Sequence, residues 1–405
     1  MLIRTLPEGR EVRTFLGIVL VLTVGQGLWM ALNAVYATSV LHLSAEQFGI
    51  GVGIAAGVAL ALSTPTGHLA DRVGARRVQI WSLVAMGPLS AALLLVSDYP
   101  SYLLVISVQA VAYSASRGAR LAMIAGLVPP EKRVPVRAYM RTMSNVGATA
   151  GASVAGVLLA IGSTAYYRGA VVAVALAYLA SGLLTLLLPT VPGQPPRPGP
   201  ALVVLRDRPF LAFVALDGLL SMHNMLLEVV LPLWVLQHTG APRWTIAAIL
   251  LLNTVLVVLL QVRASRGTDE PTSAARASRT GALCITAACL VFALSDGASA
   301  VTASALLLLG AIAHVLGEVR QAAGSWGIAF GLAPDDAQGQ YQGTHAMGAD
   351  IGKMIAPALL TWLAIGHGTV GWIVMAAGFA VLGAAMPPLV AWSRRGRKTE
   401  VPASA

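Results

Sequence analysis

The sequence is poor in charge, in acids above all, and nearly empty of cysteine. Charged residues make up 11% of its 405 positions, and only 17 are Asp or Glu. Soluble domains average roughly 25% charged residues, so an ordinary water-facing surface is excluded. The two cysteines, Cys284 and Cys289, lie five apart in one apolar run. On a helix that spacing turns them to different faces, which excludes a disulfide framework and a cysteine metal site. No G-x-x-x-x-G-K-S/T loop occurs, so a nucleotide-driven pump is disfavoured. The histidines (His42, His68, His223, His238, His314, His345 and His367) show no ligand spacing. No metal, no cofactor and no enzymatic centre are therefore expected. Lysine is scarce as well, 3 against 24 arginines, a bias that suits a GC-rich bacterial genome.

What fills the chain is apolar: 57% hydrophobic residues and a mean hydropathy of +0.75. Runs of about 20 residues, enough to cross a hydrocarbon layer of about 30 Å, recur from end to end. Twelve spans are read at 14–37, 46–66, 78–97, 101–127, 138–161, 168–189, 209–237, 244–263, 280–295, 299–331, 341–365 and 368–392. The span at 280–295 is short. Helices are the expected spanning element, because each backbone amide must be satisfied within its own segment. The fold class expected is thus an all-α integral membrane protein. The first apolar run has no cleavage pattern and is expected to stay as span 1.

The formal net charge of +10 could suggest nucleic acid, but its distribution says otherwise. With a cytoplasmic N-terminus and twelve spans, 21 Lys/Arg fall on cytoplasmic segments and 2, Arg168 and Arg243, on outer loops. That is the positive-inside pattern. The charge sets topology, so no nucleic-acid partner is expected. Both termini are placed in the cytoplasm of a bacterial cell, with the lipid bilayer of the cytoplasmic membrane as surroundings.

The stretch 190–208, with five prolines between 192 and 200, divides the chain. It separates an N-terminal six-helix bundle, 1–189, from a C-terminal one, 209–393, followed by a tail at 394–405. The halves resemble each other. "VGATAGASVAGVLL" (146–159) aligns with "MGADIGKMIAPALL" (347–360) at an offset of 201, placing Gly147 and Gly151 on Gly348 and Gly352. Just upstream, "LVPPEKR" (127–133) matches "LAPDDAQ" (332–338) at an offset of 205. Internal repeats of this kind mark transporters, with the binding site expected between the halves near mid-membrane.

The polar stretch "GHLADRVGARRV" (67–78) follows span 2. With twelve spans and a six-plus-six split, it resembles the major facilitator superfamily, whose motif there runs Gly-x-Leu-Ala-Asp-Arg/Lys-x-Gly-Arg-Arg/Lys. Gly67, Leu69, Ala70, Asp71, Arg72 and Gly74 match, and Ala75 replaces the usual basic residue. The resemblance covers the whole chain. It implies two six-helix bundles, with spans 1, 4, 7 and 10 lining a central cavity. It also implies that Asp71 meets the start of span 11, so that Gly67, Asp71, Arg72 and Gly74 form a conformational latch. Arg76 and Arg77 read first as topology charges. Drug exporters of the family carry a Gly-Pro step in span 5 and an arginine early in span 4; here "GASVAG" has no proline, and Arg117 lies about two turns late.

Charges at membrane depth are costly and usually functional. Span 7 carries Asp217, Ser221, Asn224 and Glu228 at i, i+4, i+7 and i+11, one helical face. Its two acids are about 16 Å apart along that face, too far to act as one pair. Span 10 gives His314, Glu318, Gln321 and Ser325, and span 1 gives Gln26, Trp29, Asn33 and Tyr36. Span 4 gives Gln109, Tyr113, Arg117 and Arg120. Glu318 is expected first, then Asp217 and Glu228, to couple protons or bind a cation; the bland alternative is that Glu318 neutralises an arginine such as Arg117. The remaining stripe residues are expected to line the substrate cavity. Arg117 and Arg120 either bind an anionic substrate or balance acids, and Arg120 alternatively snorkels to the interface. Asp350 and Lys353 are read as a structural pair, and Arg320 has no evident partner. The expectation is a monomeric, proton-coupled secondary transporter exporting a drug-like compound or secondary metabolite. The alternative is a proton symporter for nutrient uptake.

Overall fold

In the computed structural model, which describes residues 9–190 and 202–399, the chain is helical throughout. Helix α1 (Arg10–Ser39) is followed by α2 (Ala45–Ala61), α3 (Ser63–Val73), α4 (Ala75–Ala92) and α5 (Tyr99–Leu127). Next come α6 (Pro130–Ile161), α7 (Thr164–Leu184), α8 (Arg208–Leu220) and α9 (Leu231–His238). The last four are α10 (Trp244–Ala264), α11 (Pro271–Ala293), α12 (Ala300–Leu332) and α13 (Gln338–Thr399). The helix α13 is two rods that meet at Gly368, whose φ of 57° lies in the left-handed region. Among the described residues, seven helical stretches are long and apolar enough to cross a membrane, or eight if the bent pair α2–α3 is one span.

Local chemistry sets the ends. Ser44 and Gln47 form a capping box at the start of α2, each side chain bonding the other's backbone N–H at 3.1 and 3.0 Å. Asp98 accepts the N–H of Ser101 (2.8 Å) at the start of α5, and Asp207 that of Phe210 (3.0 Å) at α8. Gly162, with φ 70°, closes α6.

Several stretches read as loops from their charge are helical. The motif at 67–78 lies mostly in α3, and one residue, Gly74 (φ 104°), turns the chain into α4. Helix α11 starts at Pro271, so the short span at 280–295 is a 23-residue helix carrying Arg276 and Arg279 in its first turns. Charge depresses hydropathy without breaking a helix, and proline at the first position favours one. Most of the linker, residues 191–201, lies outside the described residues, as does the end of the tail from 400.

The chain forms two compact units. One gathers the chain up to Pro129 with Tyr139–Val203 and Pro334–Thr344; the other gathers Pro130–Ala138, Val204–Ala333 and the chain from His345. The short segments Pro130–Ala138 and Pro334–Thr344 begin within the second of the two sequence repeats and run beyond it.

The first repeat is visible within each unit. In the first, α6 approaches α1 so closely that a Cβ on Gly151 would stand 2.0 Å from the Val24 carbonyl oxygen. In the second, α13 approaches α8, and a Cβ on Gly352 would stand 2.1 Å from the Gly218 carbonyl oxygen. The aligned glycines thus make the same backbone contact in both halves. Such contacts replace the hydrophobic drive that helices lack in lipid. Around them the first unit packs Leu22, Leu83, Tyr102 and Val174, and the second packs Trp234, Phe292 and Trp372 with ring centroids 5.3–5.6 Å apart. Leu95, Val157, Leu176, Leu251 and Val381 stay exposed, as lipid-facing residues would. Gly151→Val is expected to abolish the folded peak in fluorescence-detected gel filtration. Gly156→Val, on the same helix with open space around it, is expected to leave that peak unchanged.

Candidate functional site: the polar groups of the two units

The motif residues are built into a tight junction of α3 with the first turn of α13, all within the first unit. A Cβ on Gly67 would lie 2.2 Å from the Gly339 carbonyl oxygen, so only glycine permits the approach. That approach brings the Asp71 carboxylate over the helix start, where it accepts the N–H groups of Gly339 (2.5 Å) and Gln340 (2.9 Å). These are orphan donors at the positive end of a helix dipole. Ser63 Oγ donates to the Gly343 carbonyl at 2.9 Å, and the Thr64 and Thr344 hydroxyls meet at 2.9 Å. Arg72 is half-buried beside them, and Arg77 is exposed. Arg76 does more than set topology: its guanidinium donates to the carbonyls of Thr185 (3.3 Å) and Leu186 (2.6 Å) and to Thr190 Oγ1 (3.2 Å), capping the end of α7.

The first unit also holds the stripes of spans 1 and 4. Gln26, Trp29 and Asn33 are half-buried, whereas Tyr36 is 1% exposed in the core, its hydroxyl donating to the Leu93 carbonyl at 3.1 Å. Trp29 packs 6.0 Å from the Tyr36 ring. On α5, Gln109 Nε2 donates to Ser90 Oγ (2.7 Å), and Tyr113 and Arg117 are half-buried. Arg120 does not snorkel. It is buried, donating to Ser116 Oγ at 2.8 Å and hydrogen-bonded to Tyr113, with Tyr178 beside it.

In the second unit the stripes of spans 7 and 10 face each other. Asp217, 2% exposed, accepts three hydrogen bonds: from Gln321 Nε2 (2.9 Å), Ser325 Oγ (2.7 Å) and His345 Nε2 (3.0 Å). Phe213 stacks on the His345 ring at 5.5 Å. Asp, Ser and His converge here, but one imidazole nitrogen serves both partners, at 2.9 Å to Ser325 Oγ. A nucleophilic triad would place the acid and the serine on opposite ring nitrogens, so the cluster is no hydrolytic centre.

A turn and more toward the other end of α12, Glu318 accepts from Asn253 Nδ2 at 2.9 Å. His314 Nδ1 stands 3.9 Å from Glu318 Oε2, and His314 Nε2 faces both the His223 carbonyl (3.0 Å) and His223 Nδ1 (3.2 Å). Beyond these, Glu228 is exposed, and its charged neighbours include Lys353 and Glu318. Span 7 is not one regular helix: a 3-10 turn (Ser221–His223) and a π-turn (Leu226–Val230) separate α8 from α9. Ser221 is buried, Asn224 half-buried with its amide on the Ser221 carbonyl (2.7 Å), and Glu228 falls out of the Asp217 face. Arg320, which the sequence left without a partner, donates to the carbonyls of Ala264 (2.8 Å) and Arg266 (3.3 Å), closing the end of α10.

The structure adds His223, Asn253 and His345, which sequence reasoning passed over. His345 had a signal: with Gln338 and Gln342 it makes a polar face at helical spacing on span 11. Asn253 is a single polar residue in an apolar run. His223 is off the stripe of a regular helix and reaches the interior through the 3-10 turn. Among the described residues no group of three or more His, Cys, Asp or Glu is placed to hold a metal.

A family model described as Major Facilitator Superfamily matches residues 14–357. The chain belongs to the Major Facilitator Superfamily. It is a multi-pass membrane transporter of small molecules. Solved members have a similar fold at low identity. A bacterial homologue of the iron transporter ferroportin, in an outward-facing state, matches with TM-score 0.75 and 13% identity, covering 96% of this chain and 100% of that one. The human organic anion transporter TETRAN gives 0.68 and 14%, covering 94% and 99%. The fucose:proton symporter of E. coli gives 0.66 and 15%, covering 94% and 98%. No curated protein matches the sequence.

Asp71→Asn keeps the shape of the α3–α13 junction but removes the anion from the helix start. It is expected to cost about 1 kcal/mol, read as a lower midpoint of thermal unfolding in detergent. An unchanged midpoint would show that the two N–H bonds do not depend on the carboxylate charge.

Proposed function

We propose that this transporter has twelve spans with both termini in the bacterial cytoplasm, acts as a monomer, and exports a drug-like compound or secondary metabolite in exchange for protons. The observation that carries the proton coupling is the pairing of Glu318 with His314. The His223 carbonyl can only accept, so His314 Nε2, at 3.0 Å, must carry a hydrogen. In the neutral ring Nδ1 is then a bare lone pair; it has no hydrogen-bond partner and faces Glu318 at 3.9 Å. A proton placed on either group completes a Glu318–His314 contact, and its removal leaves two acceptors facing each other. Such a pair suits a group that takes up and releases one proton in each cycle.

The other two carboxylates fit this role less well. Asp217 already has three partners around it, and these bonds tie α8, α12 and α13 together. Glu228 is exposed and reads as a mouth residue. Gln26, Trp29, Asn33, Tyr113, Arg117, Ser221, Asn224, Gln321 and Ser325 remain the proposed cavity side chains; Tyr36, with its hydroxyl bonded in the core, supports that wall from behind. Gly67, Asp71, Arg72 and Gly74 are the proposed latch of one conformational state. On this reading Asp71→Asn slows transport and leaves substrate binding intact.

Inverted membrane vesicles with an acid lumen test the direction. Compounds that collapse the pH gradient are expected to accumulate in the lumen, whereas uptake by symport would deplete them. Glu318→Gln is expected to lose gradient-driven accumulation while keeping exchange of labelled for unlabelled compound. Gradient-driven transport that survives in this variant sinks the coupling assignment.

A further inference from the structure

The first unit contains a buried cation that has no counter-ion among the described residues. Arg120 is 7% exposed, about two turns from the C-terminal end of the apolar helix α5. Its hydrogen bonds go to Ser116 Oγ and Tyr113, both neutral hydroxyls. The charged and ionisable side chains that act on it are Tyr113, Tyr178 and a second guanidinium, Arg117, one turn away. No carboxylate is among them, and among the described residues Arg120 makes no ion pair. A buried charge of this kind is strongly unfavourable unless it is paired.

A second observation points the same way. The Ser116 hydroxyl that accepts from Arg120 donates onward to Gln79 Oε1 at 3.1 Å. The other end of that amide, Gln79 Nε2, is buried with no hydrogen-bond partner, and Gln79 as a whole is 1% exposed. The cluster therefore has donors in excess: a guanidinium and an amide N–H, with acceptors that are neutral oxygens already engaged. An orphaned buried donor beside an uncompensated cation is the electrostatic imprint of an absent oxyanion.

We propose that Arg120, with Tyr113 and Arg117 on the same face of α5, binds the anionic group of the substrate, a carboxylate on a small organic molecule. This rests on the transport reading above and names the charge of what is carried. The planar guanidinium supplies a fork of N–H donors matched to a carboxylate, a geometry that a lysine ammonium cannot reproduce. Tyr113 and Tyr178 supply apolar ring surface beside it. The protein tolerates the unpaired cation because the substrate completes it, so the ligand-free form carries a cost that ligand binding removes.

The test uses the full-length protein in detergent and a probe panel of benzoate, phenylacetate and salicylate against benzamide, phenylacetamide and salicylamide. The carboxylates are expected to raise the midpoint of thermal unfolding by about 2 °C or more, and the isosteric amides to leave it unchanged. Arg120→Gln is expected to abolish the carboxylate shift and to raise the ligand-free midpoint, because it removes a buried unpaired charge without opening a cavity. Arg120→Lys is expected to keep the charge preference with about tenfold weaker binding. A ligand-free midpoint that falls in Arg120→Gln would mark the guanidinium as a structural tie and overturn the proposal. So would amides that stabilise as well as the acids, or carboxylates that stabilise neither wild type nor variant. None of these readouts uses a proton gradient, so a failure here leaves the vesicle result standing, and the reverse.

Discussion

Close approach of helix backbones, licensed by glycine, is the constraint on which the rest of this transporter depends. In lipid, burying apolar side chains against one another gains little, because the surroundings are as apolar as the interface. Helices must then be held by van der Waals contact at short range and by polar bonds that lipid cannot offer. Gly151 against Val24 and Gly352 against Gly218 supply the first. Asp217 with Gln321, Ser325 and His345 supplies the second. The motif at the start of α13 uses both together: Gly67 lets the backbones touch, and the touch places Asp71 on two helix amides.

The polar residues of this protein divide by how completely they are satisfied. Asp217 and Arg320 are saturated and act as fasteners. Arg76 is likewise spent on carbonyls. On the proposed readings, one proton completes the bare His314 Nδ1 beside Glu318, and one anion completes Arg120 with Gln79. Transport needs groups of the second kind, and the bundle needs the first. Both are polar residues packed among apolar helices, and the amino-acid types alone do not separate them.

This is also where reading the sequence succeeds and stops. The membrane class, the repeat and the motif were legible because each rests on local pattern: apolar runs, small residues at fixed spacing, and a polar break between spans. The Glu318 stripe was legible for the same reason, since helical periodicity places its members on one face. Partners on other helices were not legible. His345 and Asn253 reach their contacts through packing between segments far apart in the chain, and His223 through a change of helical pitch. Charge misled where it was used to mark loops, because Arg276 and Arg279 sit within α11. Whether Arg120 snorkelled or turned inward depended on Ser116 and Tyr113, which its sequence position does not reveal.

The irregular stretch of span 7 decides which side chain the helix turns inward. A 3-10 turn tightens the helix and a π-turn, one residue wider than an α-turn, loosens it. Together they shift which side chains face inward in a helix whose two ends are anchored. Here the anchors are Asp217 on one side and Trp234 on the other, the latter fixed by its indole N–H on Ser295 at 2.9 Å. A regular α-helix between those anchors would present a different side chain where His223 meets His314. The change of pitch thus lets an imidazole meet His314 inside the bundle while Asp217 and Trp234 keep their bonds at either end.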